Sequence, residues 1–442
     1  MNRYELFSQF GISRKVYDLA AETANEIEHL REEVNSIAEE RQLGLLQAFH
    51  AARISEGSFN FKSGYGYNDL GREQAEAVFA QAFDAEAALV RIQFSSGTHV
   101  LATCLRALLH RGDDVLIASG IPYDTILPTF GSLSLLSNDD EVDNDSKTET
   151  YHYSDSKQTL TATGVSVRAV DLTSDGKLDF SQIEAALLPE TRMLYVQKSR
   201  GYSSRRALLS AEIGELKALV THIAPDCIIM IDNCYGEFVE RHEPTAYGAD
   251  LIAGSLIKNP GAGIAASGGY VVGRQDLVDE VAEAMTAVGV GAEIGPSLGF
   301  NEQILKGIYF APQVVAAASA GAIFAARLFQ KAGFDVSPLP AEERGDLVQT
   351  VQMQNPEQLK AFCEAIQAAA PIDAHFTPIP SEMPGYDCDI IMASGSFVQG
   401  SSIELSADGP LRPPFTAFLQ GGLNYWNARL GAMMALERVL SL

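Results

Sequence analysis

Seven short apolar runs separated by stretches of helical periodicity constrain this chain more than any other feature. The runs are Ala87–Ile92, Asp114–Ala118, Val165–Val170, Met193–Gln197, Cys227–Ile231, Leu251–Gly254 and Gly269–Val272. Helical patterns lie between several of them. In Ala211–His222, for example, Ile213, Leu216, Leu219 and Val220 share one face. Alternation of this kind predicts an α/β fold, a mainly parallel seven-stranded sheet with helices on both faces. Ligands in such sheets bind beyond the carboxyl ends of the strands. Three regions follow from the pattern. Residues 1–60 are a charge-rich N-terminal helical segment. Residues 61–309 carry the sheet, interrupted near 137–158 by a polar insertion containing Asn138-Asp139-Asp140-Glu141-Val142-Asp143-Asn144-Asp145. Residues 310–442 open with a long Ala-rich helix. A smaller α/β domain follows, with a helix over Pro356–Ala369 and strand-like runs at Ile390–Ala393, Ser402–Leu405 and Thr416–Leu419.

Composition removes several function classes. The net charge is −25, from 32 basic and 57 acidic residues. Nucleic acids and anionic membranes reward clustered Lys and Arg, so neither is expected as a partner. The apolar stretch Val314–Ala326 is broken by Ser319 and Gly321 and is too short to span a bilayer, so it reads as a buried helix. No basic segment followed by an apolar core opens the chain, and a cytoplasmic location is the expectation. The five cysteines include no CxxC pair and the eight histidines show no ligand spacing. No disulfide framework or metal site is expected.

The chemistry concentrates on Lys258. It follows the run Leu251–Gly254 and precedes a glycine-rich turn, Asn259-Pro260-Gly261-Ala262-Gly263. Asp232 ends the preceding run. Pyridoxal phosphate needs a lysine amine for a Schiff base and a carboxylate that keeps its pyridine nitrogen protonated. A surface lysine and a strand-end aspartate explain this pair equally well, and the remaining groups shift the balance. Ser95-Ser96-Gly97-Thr98-His99 lies between a strand and a helix, where backbone amides and hydroxyls bind phosphate. It is also an ordinary N-cap pattern. Tyr123, in Gly120-Ile121-Pro122-Tyr123-Asp124-Thr125, is placed to stack on a ring or simply to fill a turn. Ser255 stands just before the lysine.

With these segments, together with Gly64–Arg72, Ile231–Phe238, Gly254–Gly263, Met383–Tyr386 and Gln420–Leu423, the chain resembles pyridoxal-phosphate enzymes of fold type I. Within them it is similar to the cysteine/methionine metabolism group, in the aluminium-resistance or methionine gamma-lyase-related subfamily. The resemblance implies Lys258 as the internal aldimine and proton carrier, Asp232 as partner of the pyridine nitrogen, and Tyr123 stacked on the ring. It implies Ser96, Gly97, Thr98 and Ser255 as the phosphate cradle. It further implies a homodimer or homotetramer in which Tyr67 and a nearby arginine reach the neighbouring subunit's phosphate. Asp69 stands where that arginine is expected, so Arg72 takes the part. Ile257 replaces the family's threonine before the lysine. The strand arginine that grips a substrate carboxylate is missing, which leaves Arg412 and Arg200 as candidates. The expected activity is carbon–sulfur lysis of a small amino-acid substrate. An aminotransferase or aldolase on the same scaffold, or a cofactor-binding protein without turnover, are the alternatives.

Overall fold

The computed structural model describes residues 2–137, 147–383 and 388–442. The acidic run Asn138–Asp145 and the segment Pro384–Tyr386 lie outside the described residues. Along the chain come helices α1 (Arg3–Ser8), α2 (Arg14–Glu26), α3 (Glu28–Ala51) and α4 (Leu70–Ala82), strand β1 (Ala87–Arg91), α5 (Gly97–Leu108), β2 (Asp114–Ile117), α6 (Leu127–Phe130), β3 (Ser132–Ser137) and β4 (Lys147–His152). Then follow α7 (Leu160–Thr163), β5 (Ser166–Val170), α8 (Phe180–Ala186), β6 (Thr191–Gln197), α9 (Ser210–Ile223), β7 (Ile228–Asp232), β8 (Leu251–Ser255), β9 (Gly269–Gly273) and α10 (Gln275–Met285). The long α11 (Asn301–Lys331), β10 (Val336–Ser337), β11 (Gln349–Gln352), α12 (Pro356–Ala369), β12 (Ile390–Ser394), β13 (Ser406–Pro410), β14 (Thr416–Gln420) and α13 (Tyr425–Leu440) complete the chain.

Two compact units result. One comprises residues 44–256 and 267–305, the other 1–43, 257–266 and 306–442. The N-terminal helices therefore fold with the C-terminal region rather than as a segment of their own. The ten residues that include Lys258 belong to that unit as well.

Among the described residues, the first unit holds a sheet of nine strands rather than seven, in the order β1-β9-β8-β7-β6-β2-β5-β3-β4. The block from β8 through β3 is parallel, while β9 runs antiparallel between β8 and β1. The two extra strands are the β3–β4 hairpin, which the polar insertion concealed. Ser132-Leu133-Ser134-Leu135 alternates, and Leu133 and Leu135 are buried. Its partner β4 (KTETYH) is polar throughout and ends the sheet, where an apolar strand would invite further pairing. The core beneath the sheet joins Leu101, Cys104 and Leu105 of α5 to Met193, Tyr195, Met230, Ala253 and Val271.

The second unit is built on an antiparallel five-stranded sheet, β10-β11-β14-β13-β12. Its core combines Ile12, Val16 and Ala20 from the N-terminal helices, Phe324, Leu328 and Phe329 from α11, and Phe362 and Met433 from α12 and α13. The run Ser402–Leu405 is not a strand. Gly422 N–H bonds the Ile403 carbonyl there, and the Glu404 carboxylate accepts the Phe397 and Val398 amides, so pairing begins only at Ser406. Helix α11 has 31 residues and an 18-residue window of mean hydropathy 1.6, which passes the length and composition test for a membrane span. Because 72% of that window is buried within the protein, it is a core helix.

Candidate active site

Three parallel strands end side by side, β6 at Gln197, β7 at Asp232 and β8 at Ser255. Register pairs Gln197 with Asp232, and Asp232 with Ala253. Side chains alternate along each strand, so Tyr195, Gln197, Asp232, Ala253 and Ser255 all face the side covered by α5. Helix α5 begins above this edge. Ser96 caps it by accepting the His99 amide at 3.0 Å, which leaves the Gly97 and Thr98 N–H groups without an intrahelical acceptor. Two exposed amides and a helix dipole at a strand edge form an anion cradle.

Contacts link the sequence-named residues to one another. Thr98 Oγ1 lies 2.8 Å from the Tyr123 hydroxyl and 3.0 Å from Thr125 Oγ1. A Cβ placed on Gly97 would lie 3.4 Å from Ser255 Cβ and 3.6 Å from Cys234 Sγ. Cys234 in turn donates its amide to Asp232 Oδ1 at 3.1 Å. Tyr123, Ser96, Gly97, Thr98, Ser255 and Asp232 therefore belong to one constellation. Gln197 is a member that sequence reading did not name. Its Oε1 accepts the Tyr123 amide at 2.8 Å and its Nε2 donates to the Ser199 carbonyl at 2.9 Å. Its place as the last residue of an apolar run, like Asp232, was the available signal.

The turn that follows Asp232 is held from behind. Lys198, fully buried, meets Glu240 at 2.6 Å, and its amide donates to the Asp232 carbonyl. Glu240 also accepts the Ser210 amide and hydroxyl at the start of α9. Asn233 Nδ2 donates to Glu243, which also accepts the Phe238 amide. A Cβ at Gly236 would come within 2.8 Å of Asn233 Oδ1 and 2.9 Å of Lys198 Nζ, so a side chain there would have to displace both. Tyr235 and Phe238 both adopt positive φ, a conformation that this bonding compensates.

Lys258 follows β8 by three residues and is half-buried at the start of the short 3₁₀ turn Asn259–Gly261. Close backbone packing fixes its segment. A Cβ on Gly307 would come within 2.9 Å of Gly261, and one on Gly263, whose φ is +71°, within 2.7 Å of Leu423. Glu404, 3.5 Å from the same point, is buried, and burial raises its carboxyl above the usual range despite the two amides it accepts.

Two expectations change. Arg72 is buried and spends its guanidinium on the carbonyls of Gly66 (2.9 Å), Gly295 (3.0 Å) and Glu293 (3.4 Å). It staples a loop of its own chain and does not point outward toward a neighbour. Arg412 is exposed in the turn of the β13–β14 hairpin. The Lys258 segment packs near Glu404 and Leu423, at the other end of that hairpin. Five strand residues of β13, about 17 Å, separate the two ends, which is too far for a carboxylate clamp. Arg200 is buried in the loop after β6, next to Gly201, whose added Cβ would lie 3.7 Å from Tyr123 Cβ. Tyr67 is exposed and stands 5.9 Å from Tyr65, centroid to centroid, on the loop that Arg72 staples.

The same loop is tied down by Asp69. Its carboxylate caps α4 through the Arg72 amide and accepts the Ser297 amide, the Ser297 hydroxyl and Asn301 Nδ2 at the start of α11. Burial raises its pKa, but these hydrogen bonds outweigh burial and hold the carboxyl below its usual range. Asp69→Ala is expected to lower stability by roughly 2–4 kcal/mol, since it orphans several buried donors. A depressed carboxyl contributes stability that is full above the unfolded-state pKa and is lost as the pH falls through the folded one. Urea melts at pH 7 and pH 3 check both points: the wild-type advantage over the variant should shrink at the lower pH.

Comparison with known proteins completes the picture. The family model described as methionine gamma-lyase matches residues 16–440. The protein YnbB of Bacillus subtilis (strain 168) is 40% identical over 427 residues, 96% of this chain and 97% of its own length. The crystal structure of a carbon–sulfur lyase involved in aluminium resistance from Clostridium novyi NT is 37% identical. It superposes with a TM-score of 0.90 over 99% of this chain and 100% of that one. Apo CalE6, a methionine gamma lyase from Micromonospora echinospora, is 18% identical and shares the fold, with a TM-score of 0.52 over 83% of this chain and 86% of its own. A match over nearly the whole length, with the anion cradle and strand-end aspartate in place, means that the chain belongs to the methionine gamma-lyase family, fold type I enzymes that depend on pyridoxal phosphate and act as carbon–sulfur lyases.

Proposed function

We propose that this chain eliminates a sulfur-bearing group from the β or γ carbon of an amino acid, taking up water and releasing a thiol, ammonia and a keto acid. The observation that carries the reading is the first turn of α5, whose Gly97 and Thr98 amides stand above Ser255 and beside the strand that ends in Asp232. The residues fit the cofactor: a phosphate suits the two amides, a Cβ at position 97 would fill the space between them and Ser255, and a buried carboxylate suits a protonated ring nitrogen. When bound, pyridoxal phosphate supplies an electron sink for negative charge developing beside the substrate amine.

The protein's part is binding, orientation and proton handling. Gly97, Thr98, Ser96 and Ser255 hold the phosphate end. Tyr123, fixed through its amide by Gln197 and through its hydroxyl by Thr98, covers the ring. Asp232 keeps the ring nitrogen protonated. Lys258 Nζ would hold the cofactor to the chain and would carry the substrate's α-proton. Arg200 takes the substrate carboxylate by its planar fork. Assaying thiol, ammonia and keto-acid release across sulfur amino acids tests the reading, with amino acceptors added as a control. Turnover that requires an added keto acid and frees no thiol would instead indicate amino transfer.

The exposed pair Tyr65 and Tyr67 supports a homodimer in which this loop completes the neighbour's phosphate site. Sedimentation equilibrium should give a dimer or tetramer. A fully active monomer would contradict it.

A further inference from the structure

Tyr195 lies in the middle of β6, fully buried, yet its hydroxyl has no hydrogen-bond partner among the described residues. A buried polar group without a partner is uncommon and calls for a cause. Its ring packs edge-on against Phe130, with centroids 5.6 Å apart, and joins the core beneath α5. In register it pairs with Met230, two residues before Asp232, on the same face of the sheet. Of the charged and titratable groups that act on the phenol, Asp232 is the strongest, followed by Tyr123 and Cys234. These are the residues that line the strand edge described above. Burial first and Asp232 second push the phenol well above its ordinary pKa, so it is a hydrogen-bond donor at any working pH.

We propose that Tyr195 is a positioning residue for Asp232, its hydroxyl donating to that carboxylate once the cofactor occupies the site. This rests on the reading above that pyridoxal phosphate binds there. A carboxylate has about four lone-pair positions, and one Asp232 oxygen already accepts the Cys234 amide. The phenol and the ring nitrogen can therefore be served together, and the phenol fixes the carboxylate's rotation about its Cβ–Cγ bond. Phenylalanine would fill the core equally well. A hydroxyl at this place has an unfavourable burial in the empty protein and is compensated only in the filled one.

The test uses cofactor-free protein and pyridoxal phosphate as the probe. Tyr195→Phe should melt at the wild-type temperature or above when empty, because an unpartnered buried group has been removed. Its Kd for pyridoxal phosphate, read by absorbance titration, should rise about five- to tenfold. In an Asp232→Ala background the same change should leave Kd unaltered, since Tyr195 acts through Asp232. An unchanged Kd in the single variant overturns the proposal. So does an equal-fold loss in both backgrounds, which would mean direct contact with the cofactor. A lower melting temperature of the empty variant, with Kd unchanged at a temperature where it is folded, would mark Tyr195 as a packing residue only. Wild-type protein that takes up no pyridoxal phosphate would defeat the underlying reading instead.

Discussion

Lys258→Ala is expected to lower turnover by at least about a thousandfold and to abolish the bond between chain and cofactor that borohydride fixes in the wild type. In the proposed mechanism one amine has two tasks, holding the cofactor and moving the α-proton, and no neighbouring residue of the same turn has an amine or imidazole to take over. The variant should still bind pyridoxal phosphate, reversibly, because the cradle at Gly97 and Thr98 is untouched. Its fold should change little, since Lys258 is half-buried and the turn is set by the close approaches at Gly261 and Gly263 rather than by the lysine. Peptide mapping after reduction is the direct check. A label that persists in Lys258→Ala on some other lysine would remove Lys258 from the mechanism.

Asp232→Ala should lower turnover by about 10²–10³-fold while retaining part of the cofactor affinity. Its carboxylate is buried at the end of a central strand, where an ion pair with a protonated ring nitrogen is screened far less than in water. Without it the ring nitrogen loses its proton and the ring is a weaker sink. The alternative role, a strand-end cap, is partly real, because Oδ1 accepts the Cys234 amide. The two roles separate in Asp232→Asn, which retains an acceptor for that amide but has no charge. A stable Asp232→Asn protein with turnover as low as Asp232→Ala places the loss in the charge. Equal turnover in the wild type and both variants would leave Asp232 only its structural part.

With Arg412 at the far end of the β13–β14 hairpin, the carboxylate partner proposed above is Arg200, buried in the loop after β6.

Local sequence was enough to establish much of this protein. Strand and helix alternation marked the parallel sheet, because apolar runs buried on both faces have no other stable use at that length. The positions of Asp232 at a strand end and of Gly97 and Thr98 at a helix start were legible because the apolar runs and the cap pattern around them mark those boundaries. What sequence could not supply was pairing and direction. The β3–β4 hairpin was missed because β4 is polar and is held by its neighbour rather than by its own hydrophobicity. The N-terminal helices, far from α12 and α13 in sequence, share one core with them. Arg72 and Arg412 illustrate the limit most clearly. The sequence states an arginine's charge, but only the folded backbone decides whether it is buried against carbonyls of its own loop or placed at an exposed hairpin turn. Tyr195 is the converse case, since its place in an apolar strand reads as core and only the tertiary structure shows its buried hydroxyl without a partner among the described residues, on the face of the sheet that carries Asp232.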